Sequence, residues 1–224
     1  MRSPTMPRRC ALPALAASLL AAACSSTPPP AYHTLLDDAS LPAQPPAAYA
    51  LEVAPVSIPS QADQPQVMLR GADGQIRPLY GERWSAPLGD EIQSALGERL
   101  TQRLGAPNVT QIGAGGMPVW RVQVDVQRFD LPLDAPVALD LTWRIRELPA
   151  QPALLCASRL RVAPQGSDVA AAVAAQRRAI GQAADLIAAS IAAGGAAPTG
   201  AAAQDTHTQC SSSPAQERQG MRGS

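Results

Sequence analysis

Lysine is missing from the 224 residues, so all eighteen Lys-or-Arg positions are arginine, and aromatic residues make up only 3% of the chain. Alongside abundant Ala and Pro, this bias reads as the codon usage of a GC-rich genome and carries no chemistry of its own. Histidine is scarce as well. His33 lies near the start and His207 near the end, neither has a Cys, Asp or Glu at metal-ligand spacing, and both read as solvated imidazoles. The chain has no G-x-S-x-G elbow and no P-loop, and GAGGMP at 113–118 lacks the spacing of a dinucleotide fingerprint, so it reads as a loop before a strand. A long hydrophobic run is also lacking. The apolar segment from Ala11 to Ala23 would rise about 20 Å as a helix, short of the ~30 Å hydrocarbon core that a spanning helix must cross.

That short segment follows Arg2, Arg8 and Arg9 and ends in small residues, which is the layout of a secretory signal. Leu19 to Cys24, Leu-Leu-Ala-Ala-Ala-Cys, resembles a bacterial lipobox, although Ala21 occupies the place where Leu is most frequent. On that reading residues 1–23 are removed and Cys24 becomes the first residue, carrying diacylglycerol on sulfur and an N-acyl chain such as palmitate. No other cofactor is expected. The rival reading is an ordinary cleaved signal, with Cys24 a free or disulfide-bonded thiol. Ser25 after the cysteine resembles the outer-membrane address of Gram-negative lipoproteins, which implies the periplasmic face of that membrane. Losing the signal removes three of the eighteen arginines and none of the eighteen acids, leaving fifteen against eighteen and a charge near −3. An acidic mature chain without a basic cluster argues against nucleic acid as a partner.

Beyond the signal, 24–48 reads as a lipidated tether with a first strand at Tyr32–Leu36, and 49–193 as the folded domain. ALEVAPVSIP at 50–59 slips phase across Ala54-Pro55, the mark of a bulged or edge strand. QVMLRGADGQIRPLY at 66–80 reads as a hairpin turning at Asp73-Gly74. Leu88, Ile92, Leu96, Leu100 and Leu104 recur every four residues and predict an amphipathic helix over 85–105, with Pro87 in its first turn and Gly105 as its stop. Period-two alternation predicts three strands, VWRVQVDVQRF, VALDLTWRIREL and LLCASRLRV, each with one buried and one wet face. A second, Ala-rich helix is predicted over 167–195, with Ser167 as its N-cap; 194–224 has no periodicity and is expected to be disordered. The fold class that follows is α+β: a two-layer sandwich of a mainly antiparallel sheet with two amphipathic helices on one face.

The acids Asp125, Asp130, Asp134 and Asp140 suggest a carboxylate pair for glycan hydrolysis, but their positions on wet strand faces and in the turn between them favour solvated surface charge. Cys156 alternates with Leu154 and Leu160 and reads as a buried, inert thiol; a periplasmic disulfide between Cys156 and Cys210 is the alternative. No catalytic constellation emerges, and the chain is not expected to be an enzyme.

In order, YHTL at 32–35, VAPVSIP at 53–59, DQPQVMLR at 63–70, WSAPLGDEI at 84–92, VQVDVQRFD at 122–130, VALDLTWRI at 137–145 and the terminal Ala-rich helix resemble the PqiC-like family of ABC-type transport auxiliary lipoproteins. Where members usually continue the Ile-Pro motif with a Tyr-Leu-like pair, this chain has Ser60-Gln61-Ala62. The resemblance implies an outer-membrane accessory lipoprotein that docks an MCE-domain protein, and through it an inner-membrane permease, in a lipid transport system supporting envelope integrity. Such a role needs a membrane tether, a rigid surface and several copies, so a homo-oligomer fits it. The candidate partner surface is Gln64, Pro65, Gln66, Trp84 and Pro87, with a core role for Trp84 and Leu88 as the alternative. A lipoprotein that regulates a cell-wall synthase is the competing function.

Overall fold

The computed structural model describes residues 28–37, 41–149, 153–199 and 207–212; the stretch read as a signal, Cys24 and part of the C-terminal region lie outside them. Eight strands and two helices occur among the described residues. The strands are β1 (Ala31–His33), β2 (Ala50–Val53), β3 (Gln66–Arg70), β4 (Ile76–Trp84), β5 (Val119–Asp130), β6 (Val137–Leu148), β7 (Leu154–Val162) and β8 (His207–Ser212). The helices are α1 (Leu88–Leu104) and α2 (Val169–Ala192). They form an α+β fold with a five-stranded sheet in the order β2-β5-β6-β7-β8 and a three-stranded sheet in the order β1-β4-β3. Pairing is antiparallel except at β1–β4 and β2–β5, so both sheets are mixed.

The alternation along β5, β6 and β7 produces the expected two faces. Val122, Val124, Leu139, Trp143, Ile145, Leu154 and Leu160 are buried on one side, while Gln123, Asp125, Arg144, Arg146, Arg159 and Arg161 face out on the other. On the buried side α2 lies across β6 and β7, and α1 packs on α2 and β2. The α1 stripe is buried from Leu88 through Leu100. Gly105 closes α1 at φ 62°, where a Cβ would come within 2.2 Å of the Pro45 carbonyl oxygen; only glycine fits both the backbone and the space. In α2 the small residues Ala172, Ala175, Ala179, Ala183 and Ala184 are buried, which lets the helix backbone approach the sheet.

Several expectations are corrected. The N-cap of α2 is Asp168, whose side chain accepts from the Ala171 N–H at 2.7 Å; Ser167 lies one residue outside. The fold begins before Tyr49, because β1 pairs with β4 and Leu35 is 1% exposed in the core. Asp130 is the last residue of β5 and is buried, held by Arg70 at 2.7 Å and by Arg128, so it belongs neither to the turn nor to the wet surface. The stretch 194–224 is not without structure, since β8 adds a strand along β7. Cys156 is not an inert thiol: it faces Cys210 across this pair and is joined to it by a disulfide, with Cα atoms 4.1 Å apart. Beside it Trp143 Nε1 donates to Ser158 Oγ at 3.0 Å, and Ser158 Oγ shares a hydrogen bond with Thr208 at 2.9 Å, so the indole polar atom buried by the core is linked to β8.

Candidate docking surface

The surface expected from the sequence is built by the hairpin and the segment leading into it. Asp73-Gly74 forms the turn: Gly74 takes φ 80°, and Asp73 accepts from the Gln75 N–H at 3.0 Å and from Arg77 at 2.6 Å. The Gln75 N–H, and then the Arg77 guanidinium, outweigh burial and hold the Asp73 carboxyl below its ordinary range. Upstream, Pro59 to Pro65 is a compact turn in which the Pro59 carbonyl accepts from Ala62 and Asp63 N–H at 2.9 and 3.2 Å. Ala62 is buried and Gln61 exposed, so a small side chain takes the inward position of this turn.

From these pieces the outer side of the hairpin gains a shallow open depression of about 490 Å³, lined by Gln61, Gln64, Gln66, Met68, Ile76, Pro78 and Tyr80. Tyr80 is 76% exposed. Three apolar side chains spaced by two along one strand, bordered by amides, suit a protein contact with a modest apolar centre and hydrogen-bonding edges. Gln64 and Pro65 are exposed and Gln66 half-buried, and Gln64 and Gln66 lie on this surface. Pro87 is also exposed, as the residue capping α1. Trp84 does not share the surface. It is 4% exposed and packs edge-on against Phe129, ring centroids 6.0 Å apart, joining the three-stranded sheet to the main core. Leu88 is buried likewise. Met68, Ile76, Pro78 and Tyr80 were missed, although the alternation of Ile76, Pro78 and Tyr80 in one strand was a visible signal.

Elsewhere the polar groups are engaged with one another. Buried Glu91 accepts from Thr34 Oγ1 and Leu35 N–H at 2.8 Å each and from Ser85 Oγ, tying the β1 segment to α1. His33 is not a solvated imidazole: its side chain is 15% exposed and Nε2 lies 2.5 Å from Glu82. His207 is exposed on β8. Asp125 accepts from Ser57 Oγ at 2.9 Å, Asp140 pairs with Arg161, and Asp134 is exposed, so no two of the four acids form an isolated carboxylate pair. Asp185 on α2 receives forked bonds from Arg99 and Arg103 of α1 at 2.7–3.0 Å. Burial alone would raise its pKa, but the bonds and charges of the two guanidiniums prevail and hold it below the ordinary carboxylate value. Among the described residues no group of three His, Cys, Asp or Glu is arranged to hold a metal, and no helix is long and apolar enough to cross a membrane.

The same architecture occurs in solved structures. One is a crystal structure of an uncharacterized protein, 19% identical, covering 73% of this chain and 99% of that one with a TM-score of 0.59. Another is a Xanthomonas campestris protein of the DUF330 family, 18% identical, covering 73% of this chain and 96% of that one with a TM-score of 0.53. At these identities the likeness is one of fold. The chain matches none of the curated proteins. The sequence profile of the ABC-type transport auxiliary lipoprotein component matches residues 33–188, from β1 to the last turns of α2, and the chain belongs to that family.

Proposed function

We propose that this protein is a non-catalytic accessory lipoprotein of an MCE-type lipid transport system. Acylated Cys24 holds it at the periplasmic face of the outer membrane, and the depression beside the hairpin docks an MCE-domain protein that leads to an inner-membrane permease. Membership of the transport auxiliary lipoprotein family carries the reading. The way the domain uses its polar groups supports it: the carboxylates that could have served hydrolysis are engaged in structural hydrogen bonds and ion pairs or stand alone at the surface. The anchor is physically sufficient. One acyl chain binds a membrane only reversibly, with K of about 10⁴ M⁻¹, whereas each further buried CH₂ adds ~0.8 kcal/mol, so two or three chains anchor the protein stably.

The test is co-purification of the detergent-extracted protein with an MCE partner. The partner is expected to be retained when 213–224 is deleted and lost when Gln64, Gln66 and Tyr80 are changed together to charged residues. Recovery of a cell-wall synthase in its place would overturn the reading.

A further inference from the structure

The direction in which the chain enters the domain follows from strand polarity alone. Leu69 of β3 makes a parallel bridge to Leu131, just past the end of β5, so β3 runs toward the C-terminal end of β5. β4 returns antiparallel to β3, and β1 runs parallel to β4 with Ala31 level with Glu82. The chain therefore enters β1 from the side of the hairpin turn. The loop after α1 lies at the other end, where Val109 packs with Val119 at the start of β5 and Ile112 is 81% exposed. The twelve residues of β5 separate the two ends by ~40 Å at about 3.3 Å each.

The reach of the chain before β1 decides between these ends. Seven steps lead from Cys24 to Ala31, at most ~25 Å when fully extended. Gln66 and Tyr32 both pair with Arg83, and Gln66 is three residues before the Leu69–Leu131 bridge, so Ala31 and Tyr32 sit roughly level with Arg128. From there the Val119 end is nine residues away, ~30 Å, and the exposed loop extends further. That end is out of reach of a membrane that holds Cys24. The hairpin turn is within reach: β4 bulges opposite Gln66 and Val67, so along β3 the distance from Gln66 to Arg70, the partner of Ile76, is four steps, ~13 Å.

From this geometry we infer that the β3–β4 turn, residues 71–75, is apposed to the lipid headgroups, with the strands upright and the loop at 109–117 directed away. The inference rests on acylation of Cys24 as proposed above. The turn chemistry suits the location: Ala72 and Gln75 are exposed, and Asp73, the acid of the turn, is paired with Arg77, so no unpaired anion within it opposes anionic headgroups. An upright domain also directs the depression at Gln61, Gln64, Gln66, Met68, Ile76, Pro78 and Tyr80 sideways, open to a partner approaching along the membrane.

A single introduced thiol can report on this in the acylated protein, because Cys24 is blocked by lipid, Cys156 and Cys210 form a disulfide, and Cys10 leaves with the signal. Ala72→Cys, Gln75→Cys and Ile112→Cys variants would each be labelled with a nitrobenzoxadiazole dye on purified lipoprotein in phosphatidylethanolamine–phosphatidylglycerol vesicles, with headgroup spin-labelled lipid as quencher. Quenching several-fold stronger at 72 and 75 than at 112 is expected, with the contrast shrinking when about ten Gly/Ser residues are inserted after Thr27. Equal quenching at both ends, or stronger quenching at 112, overturns the inference. A dye at 72 that is shielded from water but not quenched by lipid means that protein covers the turn, and overturns it as well. Intact mass separates the two readings: without acyl chains the anchoring proposal falls and takes this inference with it, whereas an acylated protein lacking the contrast loses only the orientation.

Discussion

The five-stranded sheet and the three-stranded sheet divide the work of the domain unequally. The larger one is covered by α2 on one face, has its edge strand β8 tied to β7 by a disulfide, and buries Trp143, Leu139, Ile145 and Leu160 on the helix side. In the smaller one, Val67 and Trp84 are the fully buried strand residues, Leu79 packs against the core while partly exposed, and the hairpin leaves Tyr80 76% exposed. Apolar burial at about 25 cal/mol per Å² concentrates stability in the first region. The second carries less of that burial and presents its segments at the surface of a rigid scaffold, where binding residues are commonly found.

The strongest way to break this contrast is at the centre of the larger sheet. Trp143→Ala should cost about 3–5 kcal/mol, read as a lowered urea midpoint, because it empties a fully buried site and removes the donor to Ser158. Next, replacing both Cys156 and Cys210 by Ser opens a 54-residue loop and should cost about 2–4 kcal/mol; hydrogen exchange should rise first at 207–212. Asp185→Asn should cost roughly 1–2 kcal/mol by weakening the clamp between the helices. The pH dependence has a definite sign. The folded-state value of Asp185 lies below its ordinary 3.8, so its stabilisation is complete above that pH and is lost as pH falls through the lower folded value. An acid titration of the unfolding midpoint should therefore be flatter in the Asn variant. Smallest of all, Tyr80→Ser should shift stability by less than about 0.5 kcal/mol. It should nevertheless lower recovery of the transport partner several-fold, the reverse of the pattern at Trp143.

The same division governs what could be read in advance. Where one physical rule repeats along the chain, as with the four-residue spacing of Leu88 to Leu104 or the alternation in β5, β6 and β7, the element and its inner face follow directly. β8 was illegible because His-Thr-Gln-Cys-Ser-Ser shows no alternation of large apolar residues, and the strand exists through its pairing with β7 and the bridge to Cys156. Gln176 lies in an Ala-rich helix and looks like a surface residue. It is fully buried because its amide donates to the Asp130 and Ala138 carbonyls at 2.9 and 3.2 Å, a partnership set by how α2 crosses the sheet. For Trp84 a local motif left surface and core both open, and the core role holds because its environment depends on Phe129, forty-five positions away. Local pattern thus identified the scaffold, whereas long-range packing decided which side chains remained available at the proposed docking surface.

The claim on which the account turns is that a folded, non-catalytic domain works from a lipid anchor at Cys24. Intact-mass spectrometry of the protein from the membrane fraction addresses it most directly. The predicted species starts at Cys24 and carries diacylglycerol plus an N-acyl chain; a polypeptide starting elsewhere, or one starting at Cys24 with no fatty acid, would contradict the account.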